Sequence, residues 1–471
     1  MIFNNIEKYR NNVALFLDYT NKIFYQDILN ISDKFQKQIK GRSLTILISE
    51  NCMESLCGYI ALLKSNSVIM LVDCNIKTSD FQDLIKKFKP RYLYCSVRNQ
   101  KKIAKNSFNL IHSFNNFNLL ESIQKISYKI NDQLMLLIST SGSIGEPKFV
   151  KLSFKNILQN TESIISYLNL NSSDCFITTM PMSYSYGLSI INTHFYCGGS
   201  IVPNKFSLIE KNFWELYNKV KPSNINGIPY FYEILNKIGI EKILKNKLKF
   251  ITQAGGKIKS DTFKSIASSC LKNDVSFFLM YGQTEASPRI SYHNVKKADL
   301  ETQNIPIGKT INGGKIFLKK ENGSLIQKTN TEGELIYKGQ NIFGGYAKNF
   351  DDLKSFKNIS ELETGDLAIK DKKGTFFITG RKSRFVKVYG YRLNLDYIEK
   401  KINRKKHLVA CLGIDEKLFI FTKKKNLNIK NYISLPKSAF EVVTIKEFPF
   451  NSNGKISYSH LNELANKKRV N

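Results

Sequence analysis

At 471 residues the chain is long for one domain, and roughly 100 to 200 residues per domain points to two or three units with sizeable cores. Hydrophobic residues at 42% and aromatic residues at 12% exclude a disordered chain, and no apolar run reaches the about 20 residues of a membrane span. The net charge of +32, from 71 Lys and Arg against 39 Asp and Glu, admits a nucleic-acid partner or simply solvated, lysine-rich faces. Lysines come in pairs and triplets along the whole length (Lys86–Lys87, Lys101–Lys102, Lys319–Lys320, Lys423–Lys425) without aromatic interleaving, so the second reading is favoured and no nucleic acid is expected. The opening MIFNNIEKYRNN lacks signal-peptide order, which places the chain in the cytoplasm. Eight scattered cysteines, with no CxxC pair and no histidine at metal-ligand spacing, read as reduced, mostly buried thiols.

From the N-terminus, SLTILI, ENCMESLCGYIALLKSN, SVIMLV, SDFQDLIKKFKP and RYLYCSV alternate strand, helix, strand, helix, strand, the texture of βαβ units on a parallel sheet. The apolar run LMLLI then gives way to STSGSIGEPK (Ser139–Lys148), a loop of glycines, hydroxyls and one lysine suited to an anion. It is not a Walker loop, because Lys148 follows Pro147 and precedes Phe149 instead of completing GxxxxGK[ST]. A polar turn between strand and helix is the plain alternative. Helical and strand-like pieces follow: SFKNILQNTESIISYLNL, SNINGIPYFYEILNKI and LKFITQAGG. From about residue 305 short strands with Gly and Asn turns predict an antiparallel, hairpin-rich section, and the last ninety or so residues carry a helix, three strands and a final helix of their own. The fold class expected is α/β: a large N-terminal domain (residues 1–380) of βα-layered sheets with a small β-rich, barrel-like section, and a small mobile α+β C-terminal domain (residues 381–471).

Four further stretches follow the opening loop in order: MYGQTEASPR (Met280–Arg289), ETGDLAI (Glu363–Ile369), TGRKSRFVKVYGYRLN (Thr379–Asn394) and FNSNGKISYSHL (Phe450–Leu461). With STSGSIGEPK they resemble the signature set of the adenylate-forming superfamily, which includes acyl-CoA synthetases, peptide-synthetase adenylation domains and luciferases. The resemblance runs over nearly the whole chain.

It implies an ATP- and Mg2+-dependent ligase that forms an acyl-adenylate, releases pyrophosphate and passes the acyl group to a thiol of CoA or phosphopantetheine. The partners implied are a small carboxylic acid and an acyl carrier protein. Thr140, Ser141, Gly142, Ser143, Gly145 and Lys148 would surround the β- and γ-phosphates of ATP. Tyr281 and Gly282, with Ala254, Gly255 and Gly256, would border the adenine, where stacking and close backbone approach need these residue types. Thr284 would bond the α-phosphate, Glu285 would hold Mg2+, and Asp366, assisted by Arg381, would take the ribose hydroxyls. Lys455 would be catalytic, offsetting the repulsion between carboxylate and phosphate as they meet. Ser383 would be the hinge, with Lys387 and Gly390 beside the tunnel for the thiol. Plainer roles stay open for several of these: Tyr281 in the core, Asp366 capping a hairpin, KVYGYR as a twisted hairpin.

Two positions depart from the family pattern. Ile144 replaces a usual threonine, removing one phosphate-directed hydroxyl, and Phe149 replaces a common glycine. The acyl pocket maps to PMSYSYGLSIINTHF (Pro181–Phe195), with Tyr184, Tyr186, Gly187 and His194 as candidate lining residues; aromatic core packing is the alternative. This stretch holds no acid, so an α-ammonium would be buried unpaired and a small organic or hydroxylated acid is expected instead. Two other functions remain open: an adenylating amide synthetase that uses an amine acceptor, and a non-catalytic, basic nucleotide-binding protein.

Overall fold

The computed structural model describes residues 4–139, 148–302, 304–388, 391–403, 408–414, 417–425, 427, 436–451 and 455–470. Ile316–Tyr337 and the residues from Glu363 onward form one compact unit, and the described remainder forms another. Glu363–Arg381 thus clusters with the residues that follow it.

In the first unit, among the described residues, an eight-stranded sheet runs in the order Tyr346–Ala347, Phe149–Ser153, Leu134–Ser139, Val68–Asp73, Leu44–Ser49, Tyr92–Ser96, Phe117–Ser122, Phe108–Phe114. The four consecutive strands from Leu134–Ser139 to Tyr92–Ser96 pair in parallel. Leu44–Ser49 is buried at every position, as a strand covered on both faces must be, which is why its sequence reads as a continuous apolar run. The intervening helices, Met53–Lys64 and Thr78–Phe88, fall where helical periodicity put them.

The loop Ser139–Lys148 does not lead from strand to helix. It joins Leu134–Ser139 to Phe149–Ser153, an antiparallel pair, and the helix Phe154–Leu168 begins only afterwards, capped by Ser153 accepting from the Asn156 N–H. Phe149 is therefore a core residue of a strand, 2% exposed and edge-on to Phe88 with ring centroids 5.4 Å apart. The strand's other edge is stitched to Tyr346–Ala347, with Lys151 N–H donating to Gly345 O at 2.9 Å and Gly344 N–H donating to Lys151 O at 2.8 Å.

A nine-stranded sheet completes the unit. Its parallel strands Asn224–Gly227, Phe250–Gln253 and Ser276–Gly282 are adjacent, so the loops leaving their carboxyl ends lie side by side. That arrangement makes neighbours of QAGG and GQTE, the usual position for a ligand in such sheets. Arg289–Asn294 returns antiparallel along Ser276–Gly282, with Gly282 opposite Arg289. A Cβ on Gly282 would come within 1.8 Å of Pro288 O, so only glycine fits there. The helix Ser185–Cys197 is buried at nearly every position, its polar residues Ser189, Asn192, Thr193 and His194 included.

The second unit contains a four-stranded sheet, Lys315–Lys319, Gly333–Lys338, Leu362–Lys370 and Phe376–Arg381, whose last two strands form an antiparallel hairpin. It also holds the hairpin Phe385–Val388 with Tyr391–Asn394, the helix Leu395–Asn403, a three-stranded sheet and the C-terminal helix Tyr458–Val470. Arg384 fastens this part, donating from Nε to Asp396 at 2.8 Å, from one terminal nitrogen to Cys411 O at 2.7 Å and from the other to Glu399.

Among the described residues no helix is long and apolar enough to cross a membrane. Lys151, 2% exposed, donates from Nζ to the carbonyls of Asp352 at 2.9 Å and Ser355 at 2.7 Å. Replacing it by Met keeps the stem and strips both acceptors of their donor, so Lys151→Met should lower stability by about 1–3 kcal/mol in urea unfolding followed by intrinsic fluorescence; an unchanged midpoint would contradict the bonding described.

Candidate functional site

Each unit carries its own cluster of the residues singled out in the sequence. In the first, Thr284 and Glu285 lie on the short turn Thr284–Ala286 that follows the strand Ser276–Gly282. Ser185, at the start of the buried helix, places its Oγ 3.0 Å from Thr284 Oγ1. Tyr346 donates from its hydroxyl to Glu285 Oε1 at 2.8 Å, and the Phe343 N–H donates to Glu285 O at 2.9 Å. Lys148 lies over the Tyr346 ring, 5.7 Å from Nζ to centroid. The sheet edge formed by Tyr346–Ala347 thus links Lys148 to the turn bearing Glu285.

Ala254 is buried, Gly256 is exposed, and Gly255 takes φ +84 between them. Gln253 holds this turn by donating from Nε2 to Ala254 O at 3.1 Å and Gly256 O at 2.9 Å. The Tyr184 hydroxyl covers Gly255, where a Cβ would meet it at 2.4 Å. Gly187 permits another close approach, its Cβ position being 2.5 Å from Pro181 O. Tyr281 and Gly282 are half-buried at the end of their strand.

Tyr186 and His194 lie deeper. Tyr186 is 2% exposed and donates to Thr252 O at 3.1 Å. His194 has both ring nitrogens occupied: Nδ1 is 2.9 Å from Ile190 O, and Nε2 is 3.1 Å from Asn224 Nδ2. Burial drives its pKa down to about 4, so the ring is neutral, with Nδ1–H donating to the carbonyl and Nε2 accepting from the amide.

The second cluster brings together Asp366, Arg381 and Lys455, which are far apart in sequence. Asp366 is 5% exposed and faces Arg381 across the hairpin, where Arg381 donates from Nε to Asp366 Oδ1 at 3.0 Å. Asn451 braces the lysine turn: Lys455 N–H donates to Asn451 Oδ1 at 2.9 Å, and Asn451 N–H donates to Lys455 O at 2.8 Å. Burial, and next the charge of Arg381, push the Lys455 ammonium down to about 8, with Asp366 opposing the shift. Thr140, Ser141, Gly142, Ser143, Ile144 and Gly145 lie outside the described residues, as does Gly390. Ser383 lies on the turn Lys382–Arg384 and Lys387 on the strand Phe385–Val388.

Among the described residues no group of three His, Cys, Asp or Glu side chains is placed to hold a metal ion. A single carboxylate fits Mg2+ only when phosphate oxygens and water supply the other ligands, and Glu285 beside the Thr284 hydroxyl suits that shared mode. Sequence reasoning missed Ser185, Tyr346 and Arg289 as neighbours of these residues. Arg289 stood inside a quoted motif, whereas nothing in the sequence signals that Tyr346 meets Glu285.

The family described as "AMP-binding enzyme" matches residues 3–347. The chain is 23% identical to bacitracin synthase 2 of Bacillus licheniformis over 78% of its own length, and it spans only 14% of that protein. It is 25% identical to a "D-alanine--D-alanyl carrier protein ligase" of Listeria monocytogenes serotype 4b (strain F2365), covering 72% of this chain and 71% of the relative. The ATP-bound crystal structure of MatB from Rhodopseudomonas palustris shares the fold, with a TM-score of 0.79, 18% identity and 98% coverage of each chain.

The shift at Lys455 has a checkable consequence. An unfolded lysine keeps its proton to a higher pH, so this group costs stability below about pH 8, and the cost fades as pH rises towards the ordinary lysine value. Competitive acetylation of Lys455, read by mass spectrometry, should give half-reactivity near pH 8, and Asp366→Asn should move it lower; a value at or above about 10.4, the ordinary lysine range, would refute the shift.

Proposed function

This chain belongs to the AMP-binding enzyme family, and on that premise we propose that it is a ligase that activates a carboxylic acid with ATP. A carboxylate oxygen of the acid attacks the α-phosphorus, the bond to the bridging oxygen of pyrophosphate breaks, and pyrophosphate leaves. A thiolate then attacks the acyl carbon and AMP departs with the electron pair. The observation that carries the reading is the Asp366–Arg381–Lys455 cluster, because a half-buried ammonium destabilised by burial and by Arg381, yet still protonated below about pH 8, gains most from arriving carboxylate and phosphate oxygens.

The residues divide the work. Lys455 sets its positive charge against the carboxylate and phosphate oxygens, and gains its proton most firmly when those anions arrive. Asp366 accepts from the ribose hydroxyls while Arg381, donating to its Oδ1, holds the carboxylate in place. The Thr284 hydroxyl would donate to the α-phosphate, and Glu285, held by the Tyr346 hydroxyl, would be the carboxylate that holds Mg2+, which would screen the phosphate charge. Lys148 and the loop before it take the outer phosphates, and the exposed Gly256 with Gly255 and Tyr281 borders the base. Residues 381–471 act as the small domain, with Ser383 as its hinge and Lys387 beside the path of the thiol. The thiol is that of CoA or a carrier protein; the carrier-protein ligases among the relatives support the second.

Acid-dependent exchange of pyrophosphate into ATP tests the first half-reaction. Lys455→Ala should lower it about 100- to 1000-fold, the loss typical of removing one charge-stabilising donor. The kcat/KM of the unaltered enzyme should fall as pH rises through about 8, where free Lys455 loses its proton. Equal exchange in Lys455→Ala and wild type would sink the assignment, and adding CoA, holo-carrier protein or amines in turn, with AMP release as the readout, identifies the acceptor.

A further inference from the structure

Arg289 opens the strand Arg289–Asn294, opposite Gly282 and only a few residues beyond Thr284 and Glu285. It is 2% exposed, the largest of the fully buried side chains. Its guanidinium carbon lies 5.1 Å from the centroid of the Tyr186 ring. No acidic side chain pairs with it among the described residues, and its Nε has no hydrogen-bond partner at all. The guanidinium shares a hydrogen bond with Tyr167, but the tyrosines around it are no substitute for an anion, since burial pushes Tyr186 up and Tyr167 up to about 12, which keeps both phenols protonated.

A cavity of about 10 Å3, with room for about one water, runs between Arg289 and the helix Ser185–Cys197. The polar groups that border it are neutral and already bonded to one another: Asn224 donates to His194 Nε2 at 3.1 Å, and Asn226 donates to Asn224 Oδ1 at 2.9 Å. A buried cation normally has an anion beside it, because desolvating an unpaired charge costs several kcal/mol. Here the protein supplies none, at the end of the helix where the acyl group is expected.

We propose that Arg289 is the specificity-determining cation of the acyl pocket and that the acid activated is a short dicarboxylic acid, whose second carboxylate pairs with the guanidinium. A planar fork of N–H donors matches a carboxylate better than any neutral group can, and pairing supplies the missing partner of Nε. The same cation disfavours an α-amino acid, whose ammonium would meet a like charge and no carboxylate from Pro181–Phe195. The inference rests on the ligase reading for its chemistry, while the identity of the bound acid can be measured without turnover.

Pyrophosphate exchange with malonate, succinate and glutarate is compared with propionate, butyrate and valerate, and with D-alanine. Wild type should favour each dicarboxylate over its chain-matched monocarboxylate at least tenfold in kcat/KM, and Arg289→Met should cut that ratio at least tenfold, with Arg289→Lys in between. A wild type that prefers monocarboxylates or D-alanine, or a ratio untouched in Arg289→Met, overturns the proposal. Should no acid support exchange, the ligase reading fails, and equilibrium dialysis with labelled succinate and butyrate decides the pocket alone. Succinate retained by wild type and lost in Arg289→Met upholds it; equal binding of the two acids overturns it. If Arg289→Met does not fold, the wild-type preference and Arg289→Lys carry the same decision.

Discussion

A cation taken out of water has to find an anion or enough carbonyl oxygens, and this chain, with its large excess of lysine and arginine, meets that constraint repeatedly. Lys151 meets it with the carbonyls of Asp352 and Ser355. Arg384 meets it with Asp396, Glu399 and Cys411 O, and Lys249 with the buried carboxylate of Asp174 at 2.9 Å. In these three cases the protein supplies every partner, and the cations serve as struts. Lys455 and Arg289 differ. Lys455 sits beside another cation and has its proton loosened, and Arg289 has a buried nitrogen with nothing to donate to. An anion from outside the chain would resolve both, and the proposed distinction between structural and functional cations is then who completes the pair.

The scaffold explains how such unfinished charges are tolerated. Arg289 is held by its backbone: its carbonyl accepts from Asn160 at 3.1 Å and Asn341 at 2.8 Å, so the strand stays in place whatever the side chain meets. Glycine at 282 lets the returning strand approach closely enough for this. Lys455 is likewise fixed through its own N–H and C=O to Asn451, leaving the ammonium free of structural duty. In both places main-chain bonds hold the backbone, so its stability does not depend on the proposed role of the side chain.

Much of the fold was legible because apolar runs and helical spacing report burial directly. SLTILI, SVIMLV and RYLYCSV became parallel strands, and the free, mostly buried cysteines agree with their scattered positions. The hairpin Phe108–Phe114 with Phe117–Ser122 was not legible, although its turn contains Asn115 at φ 51, a residue type that accepts that backbone. The loop Ser139–Lys148 read as strand to helix because Phe149–Ser153 is too short to declare itself, and its pairing on both edges is a long-range property. Motifs singled out Thr284, Glu285, Asp366 and Lys455 as candidates, since each sits in a stretch of constrained spacing. Tyr346 and Arg289 escaped because an exposed and a buried residue look alike in sequence, and arginine is by habit a surface residue.

His194 shows the same lesson from the other side. A histidine in a pocket-forming stretch invites a role in proton transfer, yet both its nitrogens are occupied and its pKa is driven to about 4, so it serves as a neutral spacer that orders Asn224. On the proposed pairing, what would set the character of the pocket is the sign of the charge of Arg289. Amino-acid activation needs a negative group for the ammonium, and the helix segment offers none while Arg289 offers the opposite. Similarity to D-alanine ligases at 25% identity therefore extends to the adenylation scaffold, and the charge of the pocket argues against carrying their substrate over with it.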